Sequence, residues 1–590
     1  METKLFASAA IIAAFSALSA ESYSWKSGVE GLWTDSANWE NGEVPSSEDS
    51  LVYISDGKAI LEGSDSILVE GIQLSSNAAG GGALEMYGDS ELTVKSSNIY
   101  VGFASGGAGR ISLNDRSKIV NNSFYTYIGN SASALVELND QSEMSIGRVL
   151  RLGYNDVNYT PNDISATLNI NGGRFTVNGT PTSGEYGIWA GCNLNAKAYI
   201  NVNAGTLDVI GLMLLGDNGG SAELTMASGD VHVAGNLFMG AWSNNAKNHG
   251  SQGYITVNGG TFTLDGTAAV GHETGTDSAN RGVGGIVVND GGTFVANQRI
   301  LLARGNYSKG TLTVNEGGIL DANIITAGNG TILSTGAEAV FTVDGGTLRV
   351  NANHDGSGAF VSLVDVNISA KGAKIDTNGK TARIDSVIKG AGKIEKTGSG
   401  VLELTAANIF SGGMDVNAGT LIAANQNALG TSAASVNSGG ILDSSVVNVV
   451  TGGISLSGGE LSANGDGAGS YTLSGGDFSM TAGVYKLTIL SAASYDQIFG
   501  DGTNDFYLDG GIVELSGYID YAEKYQILDG FETGSVGNVA VTGYDTANWL
   551  HHIETDGVLW FEQIPEPSAY AAFFGALSLA LAAGLRRRRA

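Results

Sequence analysis

Hydrophobic and polar residues alternate along two short arms that recur through the middle of the chain, with a glycine turn between the arms. Three clear copies are ATLNINGGRFTVNG from Ala166, AYINVNAGTLDVIG from Ala198 and GYITVNGGTFTLDG from Gly253. Because successive side chains of a β-strand point to opposite faces, every second residue of each arm lies on the same face. The pattern therefore predicts two strands per repeat, each with one apolar face.

A third short apolar segment, usually ending in glycine, follows the two arms, as in GIWAG to Gly191 and LMLLG to Gly216. Three strands per repeat predict a three-sided coil. Two short strands cannot bury an apolar face alone, but stacking equivalent strands about 4.8 Å apart gives neighbouring coils a shared core. We predict an all-β protein: a right-handed parallel β-solenoid with N- and C-terminal caps and a C-terminal transmembrane helix. An array of β-sandwiches is the alternative fold.

The composition agrees with strands joined by many turns. Of 590 residues, 88 are glycine, which accepts the positive φ that NGG, NAG and DGG turns need. The formal net charge of −29 argues against a nucleic-acid partner, because contacts to phosphates need a basic face. With a single cysteine, Cys192, and six dispersed histidines, the sequence predicts no disulfide, no metal site and no cofactor.

Both ends of the sequence predict segments outside the solenoid. Residues 1–20 have the features of a secretory signal peptide, so the Sec machinery is a predicted partner. Residues 568–585 carry no charge, and as a helix they would span about 27 Å, close to the roughly 30 Å of a bilayer's hydrocarbon core. We therefore expect an exported protein of the cell envelope or cell surface, transiently anchored in the membrane by this helix.

The last 26 residues combine a Pro-Glu-Pro motif, an uncharged segment and an arginine cluster, in that order. The residues of the two motifs are Pro565, Glu566 and Pro567, then Arg586, Arg587, Arg588 and Arg589. This arrangement resembles the PEP-CTERM sorting tail of Gram-negative bacteria. The resemblance implies that an exosortase-type sorting enzyme recognises the proline motif. The arginines would be a membrane stop that stays cytoplasmic. An ordinary C-terminal anchor is the alternative.

The segment IKGAGKIEKTGSGVLELTAANIFSGGMDVNAGTLIA, from Ile388 to Ala423, carries a motif of its own. Its characteristic residues include Lys396, Asn408 and the turn of residues 411–413. In these residues the segment resembles the autotransporter-associated β-strand repeat. The other repeats share only its NAGTL-like half. The resemblance implies a β-helical passenger exposed at the cell surface.

These features divide the chain into six predicted segments. They are a signal peptide (1–20), a tryptophan-rich N-terminal cap (21–57), β-solenoid repeats (58–387), the autotransporter-associated repeat (388–430), a C-terminal solenoid and cap (431–562) and the PEP-CTERM sorting tail with its transmembrane helix (563–590). Caps are expected because an open coil would present unpaired strand edges.

Three tryptophans, Trp25, Trp33 and Trp39, lie close together in the predicted N-terminal cap. Capping of the first coil is one interpretation of this cluster. The other is a glycan contact, in which the aromatic rings stack on sugars.

A catalytic role needs a separate search, because β-solenoids can carry polysaccharide lyases and glycosidases. Thr176, Asp208 and His232 occupy equivalent outward positions of successive second arms and could imitate a nucleophile, an orienting acid and a base. The column continues with Thr263 and Arg349, as a solvated strand face would. We therefore predict no catalytic residue.

Taken together, these patterns predict a non-enzymatic, adhesin-like or structural protein of the cell surface or extracellular matrix, sorted by an exosortase-type system. Its turns would face extracellular polysaccharide or the glycans of host or other cells. A carbohydrate-active β-helix enzyme, a polysaccharide lyase or a glycosidase, is the alternative. Carboxylates that converge in one groove across neighbouring coils, with room for a sugar, would favour that alternative.

Overall fold

The computed structural model describes residues 20–75, 80–103, 107–155, 163–179, 187–241, 250–272, 281–565 and 576–581. The chain forms two compact units. Unit 1 comprises Met1–Leu224 and Gly229–Gly235, and unit 2 comprises Thr225–Ser228 and Asn236–Ala590. Both consist mainly of short parallel β-strands.

The strands of unit 1 fall into three series, which follow one another along the chain within each coil. The first series is β2 (Glu30–Leu32), β4 (Gly57–Leu61), β7 (Gly82–Met86), β10 (Gly109–Leu113), β13 (Ala134–Leu138), β16 (Ile164–Ile170), β19 (Ala196–Val202) and β22 (Ser221–Met226). The second is β5 (Ser66–Val69), β8 (Glu91–Val94), β11 (Lys118–Asn121), β14 (Glu143–Ile146), β17 (Arg174–Val177), β20 (Thr206–Val209) and β23 (Asp230–Val233). The third is β1 (Glu21–Ser24), β3 (Ser50–Ile54), β6 (Gly71–Leu74), β9 (Ile99–Phe103), β12 (Tyr125–Asn130), β15 (Val149–Tyr154), β18 (Gly187–Cys192) and β21 (Leu212–Asp217).

Each strand pairs in parallel with its equivalent one coil later, so equivalent residues lie side by side. In the first series Ile111 lies beside Val136, and Val136 lies beside Leu168. In the second series Met144 lies beside Phe175. The inward residues of successive coils therefore form continuous apolar columns. Burying one such side chain contributes roughly 1.5–3 kcal/mol, and each coil repeats the contribution.

Unit 2 repeats the same arrangement with longer strands that pass from the second series into the third. The first series is β25 (Gln252–Val257), β28 (Val283–Val288), β30 (Lys309–Asn315), β32 (Glu338–Asp344), β34 (Val366–Ile368), β37 (Ile388–Gly390) and β40 (Ile409–Phe410). The second is β26 (Gly260–Leu264), β33 (Thr347–Val350), β35 (Ala373–Asp376), β38 (Ile394–Thr397), β41 (Met414–Val416), β43 (Ala433–Asn437), β51 (Asp505–Leu508) and β55 (Thr533–Val536). The third is β24 (Leu237–Ala241), β27 (Ala268–Val270), β36 (Thr381–Ile384), β39 (Val401–Leu404), β42 (Gly419–Ala423), β44 (Gly440–Ser444), β52 (Ile512–Gly517) and β56 (Ala540–Thr542).

The remaining strands of unit 2 complete its corners and its C-terminal part. The strands that continue from the second series into the third are β29 (Gly292–Leu302), β31 (Ile319–Ala327), β46 (Gly453–Leu461) and β48 (Phe478–Ser491). A separate parallel sheet consists of β45 (Asn448–Thr451), β47 (Ser470–Leu473), β50 (Gln497–Phe499) and β54 (Leu528–Asp529). Antiparallel pairing is made by β49 (Ser494–Tyr495) with β48, and among β53 (Tyr525–Gln526), β57 (Trp549–Ile553) and β58 (Val558–Gln563).

The alternation predicted from the sequence is the alternation of burial in the structure. In β16 and β17 of unit 1, Leu168, Ile170, Phe175 and Val177 are fully buried. The residues between them are half-buried or exposed on the outer face. The prediction of an all-β parallel solenoid is confirmed, while its right-handedness and its caps stay predictions.

Two turn glycines show why the coils need this residue. Gly173 has φ +66° and Gly205, in the equivalent turn one coil later, has φ +78°. A Cβ added to Gly205 would lie 2.4 Å from the carbonyl oxygen of Gly173. Both the left-handed backbone and the close approach of the preceding coil therefore exclude a larger residue.

The predicted C-terminal transmembrane helix is wrong. Over the described ranges, the chain forms no helix with enough length and apolar character to cross a membrane. The described helical residues of this segment are 576–581. The prediction rested on the lack of charge over 568–585, which shows that a segment is apolar but does not by itself establish a membrane-spanning helix. Elsewhere, Ser36–Asn38 form a 3₁₀ turn.

The predicted signal peptide falls on residues 1–19, which lie outside the described residues, and on residue 20. The six predicted segments therefore stay predictions, and the two compact units provide a separate division of the chain.

Gly205→Ala is expected to lower the free energy of unfolding by about 2–4 kcal/mol, because the new methyl group meets a backbone carbonyl and φ is positive. Gly63→Ala is the matched control in the same unit. Gly63 has φ +68°, but nothing lies within 4 Å of an added Cβ, so only backbone strain of about 1–2 kcal/mol is expected. Denaturant unfolding followed by circular dichroism measures both, and equal losses would contradict the close stacking of the turns.

Candidate functional site

The three tryptophans proposed for a glycan contact form a buried cluster. Trp33 and Trp39 are fully buried, and Trp25 is 4% exposed. The ring of Trp39 lies edge-on to those of Trp25 and Trp33, at centroid distances of 4.9 and 5.0 Å. The indole N–H groups donate to backbone carbonyls of Val29, Pro45 and Trp33. This geometry stabilises the N-terminal segment, and the glycan contact stays a prediction.

The predicted sorting motif lies almost wholly outside the described residues. Pro565 is exposed and follows β58 closely. Glu566, Pro567 and the four arginines Arg586 to Arg589 are not among the described residues. Recognition by an exosortase-type enzyme therefore stays a prediction.

The Thr176, Asp208 and His232 column is present, but its order does not suit nucleophilic catalysis. Asp208 lies between the other two in the register of β17, β20 and β23. Its Oδ1 is 3.1 Å from Nδ1 of His232, and its Oδ2 accepts a hydrogen bond of 2.6 Å from Nη2 of Arg174. A nucleophile needs contact with its base, and here the carboxylate separates them. The column is an ion-pair ladder on an outer face.

A second outward column of unit 1, missed by the sequence analysis, combines aromatic rings with a cation. We call Tyr100, Tyr127, Arg151 and Trp189 the aromatic–arginine ladder. They lie side by side on β9, β12, β15 and β18. The rings of Tyr100 and Tyr127 are stacked at 4.8 Å with an interplanar angle of 10°. The guanidinium carbon of Arg151 lies 3.9 Å from the ring centroid of Trp189.

All four members of the ladder are half-buried, so each presents part of its side chain to solvent. Burial raises the pKa of Tyr127 to about 12, which keeps its hydroxyl neutral. The guanidinium of Arg151 also lies 5.3 Å from the ring centroid of Tyr154. Such cation–π contacts are worth about 0.5–2 kcal/mol and hold the guanidinium in place. The ladder is therefore a rigid surface with one fixed positive charge.

A simple sequence signal marks this column. Each member stands two residues before the glycine that ends or nearly ends its third strand, as in Tyr100-Val101-Gly102 and Trp189-Ala190-Gly191. The apolar residue between them points into the core, so the preceding residue must point outward. Aligning the repeats on this glycine would have revealed the ladder.

Unit 2 contains an open groove of about 680 Å³ lined by acidic residues from neighbouring coils. Asp443 comes from β44, Glu460 from β46 and Glu514 from β52. Lys486 of β48 lies among them, with Nζ 2.7 Å from Oε1 of Glu460. The hydrogen bond from Lys486 to Glu460, with added attraction from Glu514 and Asp443, raises the pKa of the lysine despite partial burial. Carboxylates from neighbouring coils therefore line one open groove, which is the feature that would favour a carbohydrate-active enzyme.

The groove offers no ready metal site. Across the described stretches of both units, His, Cys, Asp and Glu side chains form no group of three or more that could hold a metal ion.

A buried lysine interrupts an apolar column of unit 2. Lys396 is fully buried and stands in register between Ile375 and Val416. Its Nζ donates to the carbonyl oxygens of Gly398 and Ala418, each at 2.8 Å. Further contacts reach Oγ1 of Thr377 and the carbonyl of Thr397. Burial lowers the pKa of Lys396 to about 8, so the ammonium remains largely charged at neutral pH. It satisfies the turn carbonyls of its own coil and of the next.

Asn408 joins three successive coils in the same segment. Its Oδ1 accepts a hydrogen bond of 2.8 Å from the backbone N–H of Ile388, and its Nδ2 donates to the carbonyl of Ala428 at 2.7 Å. Each partner is 20 residues away, which is the length of one coil here. A buried amide that satisfies backbone groups on both sides fixes the spacing of the coils.

Residues 394–423 match the family model described as Passenger-associated-transport-repeat. The match includes both Lys396 and Asn408, so the two buried polar side chains belong to the recognised repeat. The predicted autotransporter-associated repeat is thereby confirmed for these residues.

The chain is also similar to the adhesin BmaC autotransporter of Brucella suis. The two are 41% identical over 63 residues, which cover 11% of this chain and 2% of that protein. The chain therefore spans only a small part of this curated relative. The comparisons thus concern a short repeat and a 63-residue stretch of similarity, while the resemblance to the PEP-CTERM tail stays a prediction.

Lys396→Met is expected to destabilise unit 2 by about 2–5 kcal/mol, because the turn carbonyls lose their buried donor. Lys393→Met is the matched control from the same strand region. Lys393 is exposed and pairs with Asp415 at 2.8 Å, and such a surface pair is worth about 0–1 kcal/mol. Hydrogen exchange of residues 394–423, together with denaturant unfolding, measures the difference. Equal protection in the two variants would contradict the stabilising role of Lys396.

Proposed function

We propose that this protein is an exported, adhesin-like protein of the cell surface, whose stacked β-coils present their outer side chains to ligands outside the cell. The observation that carries the proposal is the passenger-associated repeat of residues 394–423, folded as part of a parallel coil stack. The similarity to part of an autotransporter adhesin supports the same role.

The chemistry of the outer faces supports the presentation of side chains to ligands rather than an enzymatic function. Several charged residues there pair with a neighbouring coil, as Arg110 does with Glu137 at 2.7 Å and Lys389 with Asp365 at 2.7 Å. Such pairs hold side chains in fixed positions along the stack. The net charge of −29 also keeps a large exported protein soluble.

Export and sorting form the second part of the proposal. The Sec machinery would export the chain, and an exosortase-type enzyme would recognise Pro565, Glu566 and Pro567. The exposure of Pro565 directly after the last strand is consistent with an accessible motif. Extracellular polysaccharide or the glycans of other cells would be the ligands.

Surface labelling of intact cells tests display and sorting together. We expect antibodies against unit 1 to label cells that express the wild-type chain. The double substitution Pro565→Ala and Pro567→Ala should retain the protein inside the cell envelope, because the recognition motif is lost. Gln563→Ala, an exposed neighbour outside the motif, is the control and should be labelled normally. Unlabelled wild-type cells would refute display, whereas normal labelling of the proline variant would refute sorting alone.

A carbohydrate-active enzyme is the second candidate, and the groove of unit 2 is the observation that favours it. Asp443, Glu460 and Glu514 line about 680 Å³ of open space there, and hydrolysis or elimination on a sugar commonly uses carboxylates. The ion pair of Glu460 with Lys486 argues against a free acid–base pair. Display therefore remains the preferred function.

Assays on acidic and neutral polysaccharides separate the two functions. We expect the wild-type chain to release no reducing ends and no unsaturated products. If products appear, Glu514→Gln should abolish them, and Glu403→Gln, on β39 outside the groove, should leave them unchanged. Cleavage that depends on Glu514 would replace display by catalysis as the proposed function.

A further inference from the structure

We propose that the aromatic–arginine ladder of unit 1 binds an acidic polysaccharide, with a sugar carboxylate held by Arg151 and the sugar ring packed along the neighbouring aromatic side chains. This inference rests on the proposed surface function and names the class of ligand. The family match does not include these residues, since it covers 394–423.

The first argument is the charge of Arg151. Three other arginines of unit 1 pair with carboxylates of neighbouring coils, namely Arg110, Arg116 and Arg174, at 2.6–2.7 Å. Arg151 forms no ion pair with any described residue, although the chain carries a large excess of acids. A half-buried guanidinium with no carboxylate partner among the described residues can bind an anion, and its planar fork matches a carboxylate.

The second argument is the position of that guanidinium. The ring of Trp189 lies 3.9 Å away, and the ring of Tyr154 lies 5.3 Å away. These contacts fix the guanidinium before a ligand arrives, so little side-chain entropy is lost on binding. Asp217 is in register with Cys192, on the strand two coils after that of Arg151.

The third argument is the surface beside the charge. Tyr127 and Tyr100 continue the column from Arg151, stacked on each other and half-buried. The hydroxyl of Tyr100 accepts a hydrogen bond of 2.9 Å from Asn98, which orients the ring edge. Aromatic edges with hydroxyl groups offer both apolar contact and hydrogen bonds, as a sugar ring requires. The ladder thus extends over several coils, which suits a polymer rather than a small anion.

Binding of oligogalacturonate by the full chain tests the inference, with an uncharged galactose oligomer of equal length for comparison. We expect the acidic oligomer to bind about ten-fold or more tightly than the neutral one. Arg151→Gln should remove that preference. Raising the salt concentration should weaken the wild-type interaction, because it is partly electrostatic.

Arg174→Gln is the matched control, since Arg174 is an arginine of the same unit that is paired with Asp208 on another face. It should bind the acidic oligomer like the wild type. If Arg151→Gln does not fold, as judged by circular dichroism, Arg151→Lys takes its place. It keeps the charge but loses the planar fork, so a several-fold weaker interaction is expected.

Three results would overturn the inference: equal binding of the neutral oligomer, unchanged binding by folded Arg151→Gln or Arg151→Lys, or equal loss in Arg174→Gln. None of these bears on surface labelling. Failure of the ladder would therefore leave surface display intact, whereas unlabelled wild-type cells would refute the proposed function itself.

Discussion

Parallel pairing of each strand with its equivalent one coil later is the constraint on which this structure depends. It places like positions side by side, as Ile111, Val136 and Leu168 show in unit 1. An inward position then favours an apolar residue, because each residue is covered by its equivalents in the coils on either side, and a polar one such as Lys396 must find its hydrogen bonds inside the core. An outward position becomes part of a column whose members can pair, stack or repel. The core and the functional surface are therefore consequences of the same register.

The polar groups that enter this arrangement serve the backbone. Amide side chains at one turn of unit 1 form a ladder, in which Asn139 donates to Asn114, Asn171 to Asn139 and Asn203 to Asn171. In unit 2, Lys396 and Asn408 are buried because they satisfy turn carbonyls and backbone N–H groups that no strand reaches. A matching apolar residue at either position would leave those groups unsatisfied. The buried Lys396 and Asn408 of the passenger-associated repeat are therefore explained by the backbone hydrogen bonds that they make between coils.

The outer columns differ from one another in chemistry, and this difference suggests where ligands bind. Asp208 is paired with Arg174 of the preceding coil and contacts His232 of the next. In the aromatic–arginine ladder, Arg151 has no carboxylate partner among the described residues and lies on an aromatic surface. The groove of unit 2 collects carboxylates around Lys486 and is partly neutralised by it. Successive coils place equivalent positions side by side, so such columns offer a polymer a repeated contact geometry without a conformational change.

The sequence alone determined the strands, their inward faces and the glycine turns, because alternation and positive φ are local properties. It also indicated the passenger-associated repeat, whose motif lies within residues 394–423. Only the tertiary structure decided which outward residues are neighbours, because the number of residues per coil varies. Equivalent turn residues are 25 positions apart in one pair of coils and 32 apart in the next. The acidic groove depends on that pairing, and the burial of Trp25, Trp33 and Trp39 depends on their packing against one another. The aromatic–arginine ladder could have been found by aligning the repeats on the glycine of the third strand. The predicted membrane helix rested on composition alone: the lack of charge over residues 568–585 shows an apolar segment but does not by itself determine a helix.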